Sequence, residues 1–294
     1  MTPAAALDWL LAARPWSFTM TAISVSVGAA LAARDGAFSW PLYGLTLLAA
    51  VLMHAASNLI NDYDDVRSGV DDPAVPTANY RPHPLLVRRL SLTAVRNAAF
   101  GLYALAALIG IALAVARGPA VLWLGLAGTA AGIAYTAPPF HYKYRALGEV
   151  SVFLMWGPLM VSGAYYVQRQ AFSAEALLVS LPFGLLVALV LLANNLRDVE
   201  HDRRKGIRTL PILLGARRGM SLFLALIVLS YAAVAAMAVA GPLPRLSLAV
   251  LLSAPIGLRL LKRMATDMPL DADAQTARLD TVFGLLLVAS MIAG

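Results

Sequence analysis

The sequence predicts an all-α polytopic membrane bundle, with nine transmembrane helices in a single domain over residues 1–294 and the N-terminus on the cytoplasmic side. Three observations carry that expectation. Hydrophobic residues make up 60% of the 294 positions and charged residues 13%, about half the charge of an ordinary soluble domain. The apolar residues gather in runs of roughly 20, the length an α-helix needs to cross the hydrocarbon core, rather than at amphipathic spacing. The basic residues alternate between sparse and crowded connections from one run to the next.

In chain order the predicted spans run from Ser17 to Ala32, Trp40 to Ile60, Ala98 to Ala116, Ala120 to Ala137, Val150 to Val167, Ala176 to Asn195, Met220 to Ala240, Leu246 to Leu258, and Thr281 to Gly294. The eighth is short and broken by Pro255. The first follows Asp8 and Arg14 and has no small-residue cleavage site after a basic start, so it reads as a retained helix rather than a signal peptide. Cysteine is absent, which excludes disulfides, thiolate catalysis and cysteine-ligated metal centres.

A net charge of +7 in a soluble protein would suggest nucleic acid, but its distribution here excludes that partner. Arg34, Arg117, Arg169 and Arg245 each stand alone in alternate connections. All the other lysines and arginines fall on the opposite side: Arg14, then Arg67, Arg81, Arg88, Arg89 and Arg96, then Lys143 and Arg145, then the run from Arg197 to Arg218, then Arg259, Lys262, Arg263 and Arg278. By the positive-inside rule the crowded side is cytoplasmic, which places the chain in the inner membrane as a multi-pass protein.

Apart from Asp35 and Glu175 the acidic residues fall on the same side, and half of the chain's acids form two clusters there. Asn58-Leu-Ile-Asn61-Asp62-Tyr-Asp64-Asp65 closes the second span, with Asp71 and Asp72 after it; Asn194-Asn195-Leu-Arg197-Asp198 closes the sixth, followed by Glu200 and Asp202. Residues four apart share a helix face, so Asn61 aligns with Asp65, and Asn194 with Asp198 and Asp202. Massed carboxylates at a membrane interface repel one another and resist desolvation unless a cation neutralises them. Oxygen ligands without sulfur suit a hard ion such as Mg2+. Acids that merely solvate helix ends or pair with arginines are the plainer alternative, and the repetition of the pattern argues against it.

Around these acids stand cations able to hold phosphate: Arg14, Lys143, Arg145, Arg197 and the run from Arg203 to Arg208. Lys143 and Arg145 follow Pro138 and Pro139, which break the helix. His54, His83, His141 and His201 have no metal-ligand spacing and read as structural or interfacial.

These residues resemble the UbiA superfamily of intramembrane prenyltransferases. The first motif of that family, Asn-Asp-x-x-Asp-x-x-x-Asp, is matched at Asn61, Asp62 and Asp65, with Gly69 at the last position and Asp71 two residues on. In that departure, and from Asn194 through Asp202 to Gly206-Ile-Arg-Thr209-Leu210, the chain is similar to the 1,4-dihydroxy-2-naphthoate prenyltransferases. Arg14-Pro15, Tyr135-Thr-Ala-Pro-Pro and Lys143-Tyr-Arg-x-Leu-Gly148-Glu149 extend the likeness.

The resemblance implies a magnesium-dependent transfer of a prenyl group from a prenyl diphosphate to an aromatic acceptor within the lipid bilayer, at a site opening to the cytoplasm. It implies that Asn61, Asp65, Asp198 and Asp202 hold Mg2+, with Asp62 supporting them. Arg14, Lys143 and Arg145 would contact the diphosphate, and Asn58, Asn195 and Arg197 would bind substrate. Catalytic roles fall to Asp62, to Lys143 and to Tyr135, whose ring would face the developing cation.

A sister transferase acting on 4-hydroxybenzoate, homogentisate, a sugar phosphate or a glycerol lipid remains open. A cation-coupled transporter is the remote alternative; it would place its acids near the bilayer midplane.

The charge pattern generates a topology test. With cysteines introduced singly as Ser68→Cys, Arg117→Cys, Lys205→Cys and Arg245→Cys, a membrane-impermeant thiol reagent on intact cells should label positions 117 and 245 and spare 68 and 205. Labelling of 68 and 205 from opposite sides would separate the two acidic clusters by a bilayer core about 30 Å thick and end any reading that joins them.

Overall fold

The computed structural model describes residues 3–87 and 89–294, and Arg88, counted above among the cytoplasmic cations, lies outside them. Among the described residues the secondary structure is helical apart from one isolated bridge between Arg145 and Arg208. Seven helical stretches among the described residues are long and apolar enough to cross a membrane.

The first of these, Ala4–Arg34, is longer than the expected first span and is broken where the sequence places Arg14 and Pro15. Helix α1 (Pro3–Ala13) stops there and α2 (Phe18–Arg34) begins after a single 3-10 turn. Proline cannot donate a backbone hydrogen bond, and Arg14 takes a left-handed conformation with φ 57°. The freed Arg14 carbonyl accepts from the Ser17 amide at 2.9 Å and the Ser17 hydroxyl at 2.7 Å.

Helix α3 (Trp40–Ser68) continues well past the expected end at Ile60, carrying the whole first acidic cluster as helix before Gly69 stops it at φ 76°. A left-handed C-terminal residue is the usual helix stop, and glycine adopts it without strain. Helix α4 (Leu92–Arg117) packs along α3. Helix α5 (Ala120–Ala134), on the expected fourth span, is a shorter apolar helix that ends before Tyr135 and the two prolines.

The fifth expected span forms as α6 (Gly148–Leu154), a π-helical turn around Pro158, and α7 (Met160–Arg169). Helix α8 (Ala174–Arg197) is the central one: Phe183, Leu186, Leu189 and Leu192 have no accessible surface. Beyond it lie the short α9 (Val199–Arg204) and α10 (Leu210–Leu214), then α11 (Ala216–Ala240). The eighth expected span is a 3-10 stretch, Arg245–Ser253, leading into α12 (Ala254–Thr266).

Helix α13 (Ala272–Ala293) starts nine residues before the expected ninth span at Thr281. Hydropathy stops at Thr281 because Arg278 and Asp280 precede it. In the fold Arg278 is exposed, while Asp280 is fully buried among the described residues without a hydrogen-bond partner.

The core joins α2, α8 and α13 through Ile23, Phe183, Leu279, Phe283 and Leu287. Small residues let these helices approach, the device expected where lipid removes any hydrophobic gain from helix pairing. A Cβ added at Gly284 would lie 2.5 Å from Ile23 of α2, and one at Gly28 would lie 2.2 Å from the Val161 carbonyl oxygen of α7, which packs on α2 in the same way.

Three of the four lone arginines of the sparse connections bond backbone carbonyls where helices end or turn. Arg117 donates to the carbonyls of Val167 and Gln168 at 2.6 and 2.7 Å, Arg169 to Asp35 at 2.9 Å, and Arg34 to Pro242 at 2.7 Å. The Ser39 amide donates to Gln168 Oε1 at 2.8 Å, so these bonds gather at the Trp40 end of α3. The acidic clusters occupy the other end.

Candidate active site

The end of α3 aims its polar residues in three directions. Asn58 donates to the Ala13 carbonyl at 2.9 Å and to Ser17 Oγ at 3.3 Å, tying α3 to the break in the first span. The tie continues inward from Ser17 to His54 Nε2 at 3.2 Å, then from His54 Nδ1 to Thr21 at 2.8 Å, with Trp156 Nε1 donating to Thr21 at 3.1 Å. It fixes the bend that carries Arg14. The Arg14 guanidinium pairs with Asp62 Oδ1, whose side chain is nearly inaccessible.

Asp65 faces the loop between α5 and α6. Lys143 Nζ donates to Asp65 Oδ2 at 2.6 Å and to Asn61 Oδ1 at 3.2 Å, and the Tyr144 hydroxyl donates to Asp65 Oδ1. Burial alone would lower the Lys143 pKa; the Asp65 carboxylate overrides it and holds the ammonium above its ordinary value. The Lys143 amide donates to the Tyr135 carbonyl at 3.0 Å, and its ammonium lies 5.8 Å from the Tyr135 ring centroid.

The second cluster departs from the expected geometry. The column from Asn194 to Asp202 is not one helix, because α8 ends at Arg197 and Asp198 forms the junction with α9. The Asp202 amide still donates to the Asp198 carbonyl at 2.9 Å, so the turn keeps both acids on the same cavity. Arg197 is consumed as a bracket rather than left free for a ligand. It grips Asp198 through two bonds of 2.6 and 2.8 Å and reaches Asp273 at 2.8 Å, Thr77 at 2.8 Å and Asn194 at 2.6 Å. Tyr80 donates to the same Asp273 carboxylate at 2.9 and 2.7 Å.

The segment after α3 folds back as a cover. The Asp71 amide donates to the Asp65 carbonyl at 3.0 Å, His201 Nε2 donates to the Val70 carbonyl at 3.0 Å, and Lys205 Nζ donates to Gly69 O at 2.8 Å and Asp72 at 2.6 Å.

These elements enclose a narrow cavity of about 80 Å³. Asn61, Asp65, Asp198 and Asp202 line it together with Asn195, Arg14 and Lys143. Asn195 also donates to the buried Glu149 Oε1 at 2.9 Å.

Five expected site residues are not in its lining. Asn58 spends its amide on Ala13 and Ser17, Arg197 is the bracket, and Arg145 is exposed and donates to the Pro139 carbonyl at 3.2 Å. Arg145 borders a larger cleft of about 890 Å³ on the far side of the α3 end, with Arg67 and Arg208. Asp62 stands behind the cavity on Arg14, and Tyr135 stands behind Lys143.

Asp71, Arg81, His83 and Thr209 also line the cavity. The histidines read from sequence as structural therefore include two, His83 and His201, at the site. Nothing in their sequence spacing signals this, because the folded-back segment brings them there.

The sequence matches the UbiA prenyltransferase family over residues 21–286. The chain belongs to that family. It is a prenyltransferase and an integral, multi-pass membrane protein. It is 27% identical to the 1,4-dihydroxy-2-naphthoate octaprenyltransferase of Bacillus subtilis, over 95% of this chain and 90% of that one. It is 30% identical to UbiA prenyltransferase domain-containing protein 1 of Xenopus tropicalis, over 97% of this chain and 81% of that one. A UbiA homologue from Archaeoglobus fulgidus, solved bound to GPP and Mg2+, shares the fold with a TM-score of 0.68 at 17% identity, covering 98% of this chain and all of that one. The apo structure of a UbiA homologue from Aeropyrum pernix gives 0.70 at 19% identity, covering 93% and 98%.

The donor set of the cavity fits a hard divalent ion: carboxylate and amide oxygens converge and no sulfur is present. Burial, and then the neighbouring Asp198 carboxylate, push the Asp202 carboxyl up to about 7. Since the folded value lies above the unfolded one, this group lowers stability as pH rises from about 4 to about 7 in the metal-free protein. A divalent ion reaching Asp202 displaces its proton, so Mg2+ affinity by titration calorimetry should rise as pH goes from 6 to 8 and level off above 8. Asp202→Asn should bind more weakly and with a flatter pH dependence. An unchanged pH slope in that variant would remove Asp202 from the ion's ligands.

Proposed function

We propose that this chain transfers a prenyl group from a prenyl diphosphate to 1,4-dihydroxy-2-naphthoate, at a Mg2+ site made by Asn61, Asp65, Asp198 and Asp202. The observation that carries the reading is the convergence of both acidic clusters, from two separate helices, on one cavity that also holds Arg14 and Lys143. The naphthoate acceptor is supported by the identity to the Bacillus subtilis octaprenyltransferase. The metal and donor are supported by the fold shared with a homologue bound to GPP and Mg2+.

When bound, magnesium supplies charge neutralisation to the departing pyrophosphate oxygens. The residues of the chain do the rest. Arg14, Lys143 and Arg81 present cationic donors to the diphosphate, and Lys143 exchanges its bond to Asp65 for one to a phosphate oxygen. The C1–O bond of the prenyl group breaks with its electron pair leaving on pyrophosphate. A carbon of the acceptor ring then supplies a π pair for the new C–C bond, and the bond from that carbon to its hydrogen or carboxylate breaks, its electron pair restoring the aromatic ring as H+ or CO2 leaves. Tyr135, held beside Lys143, offers its ring face to the allylic cation that develops at C1. Asp62 keeps Arg14 at the cavity mouth. Enclosure within apolar helices keeps water from that cation.

We further infer nine crossings in one transmembrane domain, with the shorter α5 and the Arg245–Thr266 region joining the seven long stretches. The N-terminus and the acidic ends would face the cytoplasm at the inner membrane. The lone arginines gathered at the opposite end support this orientation.

Asp65→Ala and Asp198→Ala should each lower prenyl transfer more than about 100-fold while eluting as folded protein in detergent. Chelator should abolish turnover, and Mg2+ or Mn2+ should restore it where Ca2+ does not, because Ca2+ prefers more ligands at longer distances. Product formation from 1,4-dihydroxy-2-naphthoate, but not from 4-hydroxybenzoate, is the expected acceptor result. Full turnover in excess chelator would overturn the metal site, and the reverse acceptor preference would overturn the naphthoate assignment.

A further inference from the structure

His83 sits on the folded-back segment between two prolines, 6% exposed, and among the described residues neither of its ring nitrogens makes a hydrogen bond. A buried imidazole without a well-formed hydrogen bond has given up its hydration for whatever charge it faces. Its Nε2 faces two carboxylates from different segments, Asp71 Oδ2 at 3.4 Å and Asp62 Oδ2 at 3.8 Å. One donor atom from each of the three residues lies within 4.8 Å of the others.

Both acids are held in place by other contacts. Arg14 takes Asp62 Oδ1 and leaves Oδ2 free, and the Asp71 amide is bonded to the Asp65 carbonyl. Donors about 2.1 Å from a shared ion stand roughly 3 to 3.5 Å apart. With His83 Nε2 already 3.4 and 3.8 Å from its two oxygens and no pair of donors more than 4.8 Å apart, a contraction of at most about 1.8 Å would close a ligand set around one ion.

We infer that Asp62, Asp71 and His83 form a metal position with one nitrogen donor, which takes a borderline divalent ion such as Mn2+, Co2+ or Zn2+ beside the oxygen-only magnesium position. An imidazole in the set favours those ions over Mg2+, which the carboxylates alone would not do. The Arg14–Asp62 pair stands next to the ion and orients one of its ligands. His201, the other histidine at the cavity, already donates its Nε2 to the Val70 carbonyl and is not part of the set. The position rests on the proposed function only in bordering the same cavity; the ion binds it without diphosphate.

The test is Mn2+ added to purified, detergent-solubilised full-length protein without diphosphate, followed by electron paramagnetic resonance with spin-echo detection of nitrogen coupling. The expected result is bound Mn2+ with the modulation of a coordinated imidazole nitrogen. The modulation should vanish and affinity fall at least tenfold in His83→Gln, with His83→Asn as a second variant should the first not elute as folded protein. Both properties should persist in His201→Gln.

Bound Mn2+ without nitrogen modulation, no Mn2+ binding in the absence of diphosphate, or modulation that survives loss of His83 would each overturn the inference. Prenyl transfer with Mg2+ on the same preparations separates the two readings. Transfer without the nitrogen signal removes this metal position alone, whereas the nitrogen signal without transfer removes the proposed function alone.

Discussion

Carboxylates gathered at the ends of apolar helices repel one another and lose hydration, and the bundle answers by setting cations against three of them. Arg14 meets Asp62, Lys143 meets Asp65, and Arg197 meets Asp198. Two of these cations come from places where a helix is interrupted: the break before Pro15, and the loop after Pro138 and Pro139. Both interruptions leave a basic side chain at the level of the acids, which an unbroken span could not do. Removing one partner of such a buried pair leaves the other charge uncompensated, so the pairs hold the helix ends together as well as the charges.

The three pairs are not equivalent. Arg197 is spent on four side-chain partners and joins α8, the segment after α3 and the start of α13 into one frame. Lys143 and Arg14 line the cavity itself. On the proposed reading they form a set of exchangeable counter-charges, in which metal takes the carboxylates and the diphosphate takes the released cations. Asp202 has no ion pair among the described residues and carries a pKa near neutrality, about 7. An added ion would supply the counter-charge that the protein does not give it.

Most of the fold was legible because lipid leaves so few alternatives: an apolar run must be helical to satisfy its own backbone. What hydropathy could not read were boundaries decided by tertiary partners. Helix α13 begins at Ala272 because Asp273, polar enough to end a hydropathy window, is satisfied there by Arg197 and Tyr80. Helix α3 runs through its acids because the break at Arg14 and the loop carrying Lys143 supply their counter-charges.

At the site, the paired acids and Lys143 stood out by composition and spacing, as did the helix break at Arg14-Pro15. Asn58 and Arg197 looked like ligands for the same reasons, yet the Ala13 carbonyl and Asp273 claim them, and neither partner is visible without the fold. His83 gave no signal at all, since a loop histidine between prolines becomes a site residue only when the segment folds back over α3.

The account depends on both acidic clusters acting on one metal-bound diphosphate. The most direct measurement is anomalous diffraction from crystals of the protein grown with Mn2+ and an unreactive prenyl thiodiphosphate. The account predicts manganese in the cavity, coordinated from the Asp65 side and from the Asp198 and Asp202 side, with the thiodiphosphate bridging the two. Manganese held by one cluster alone, with the diphosphate elsewhere, would contradict it.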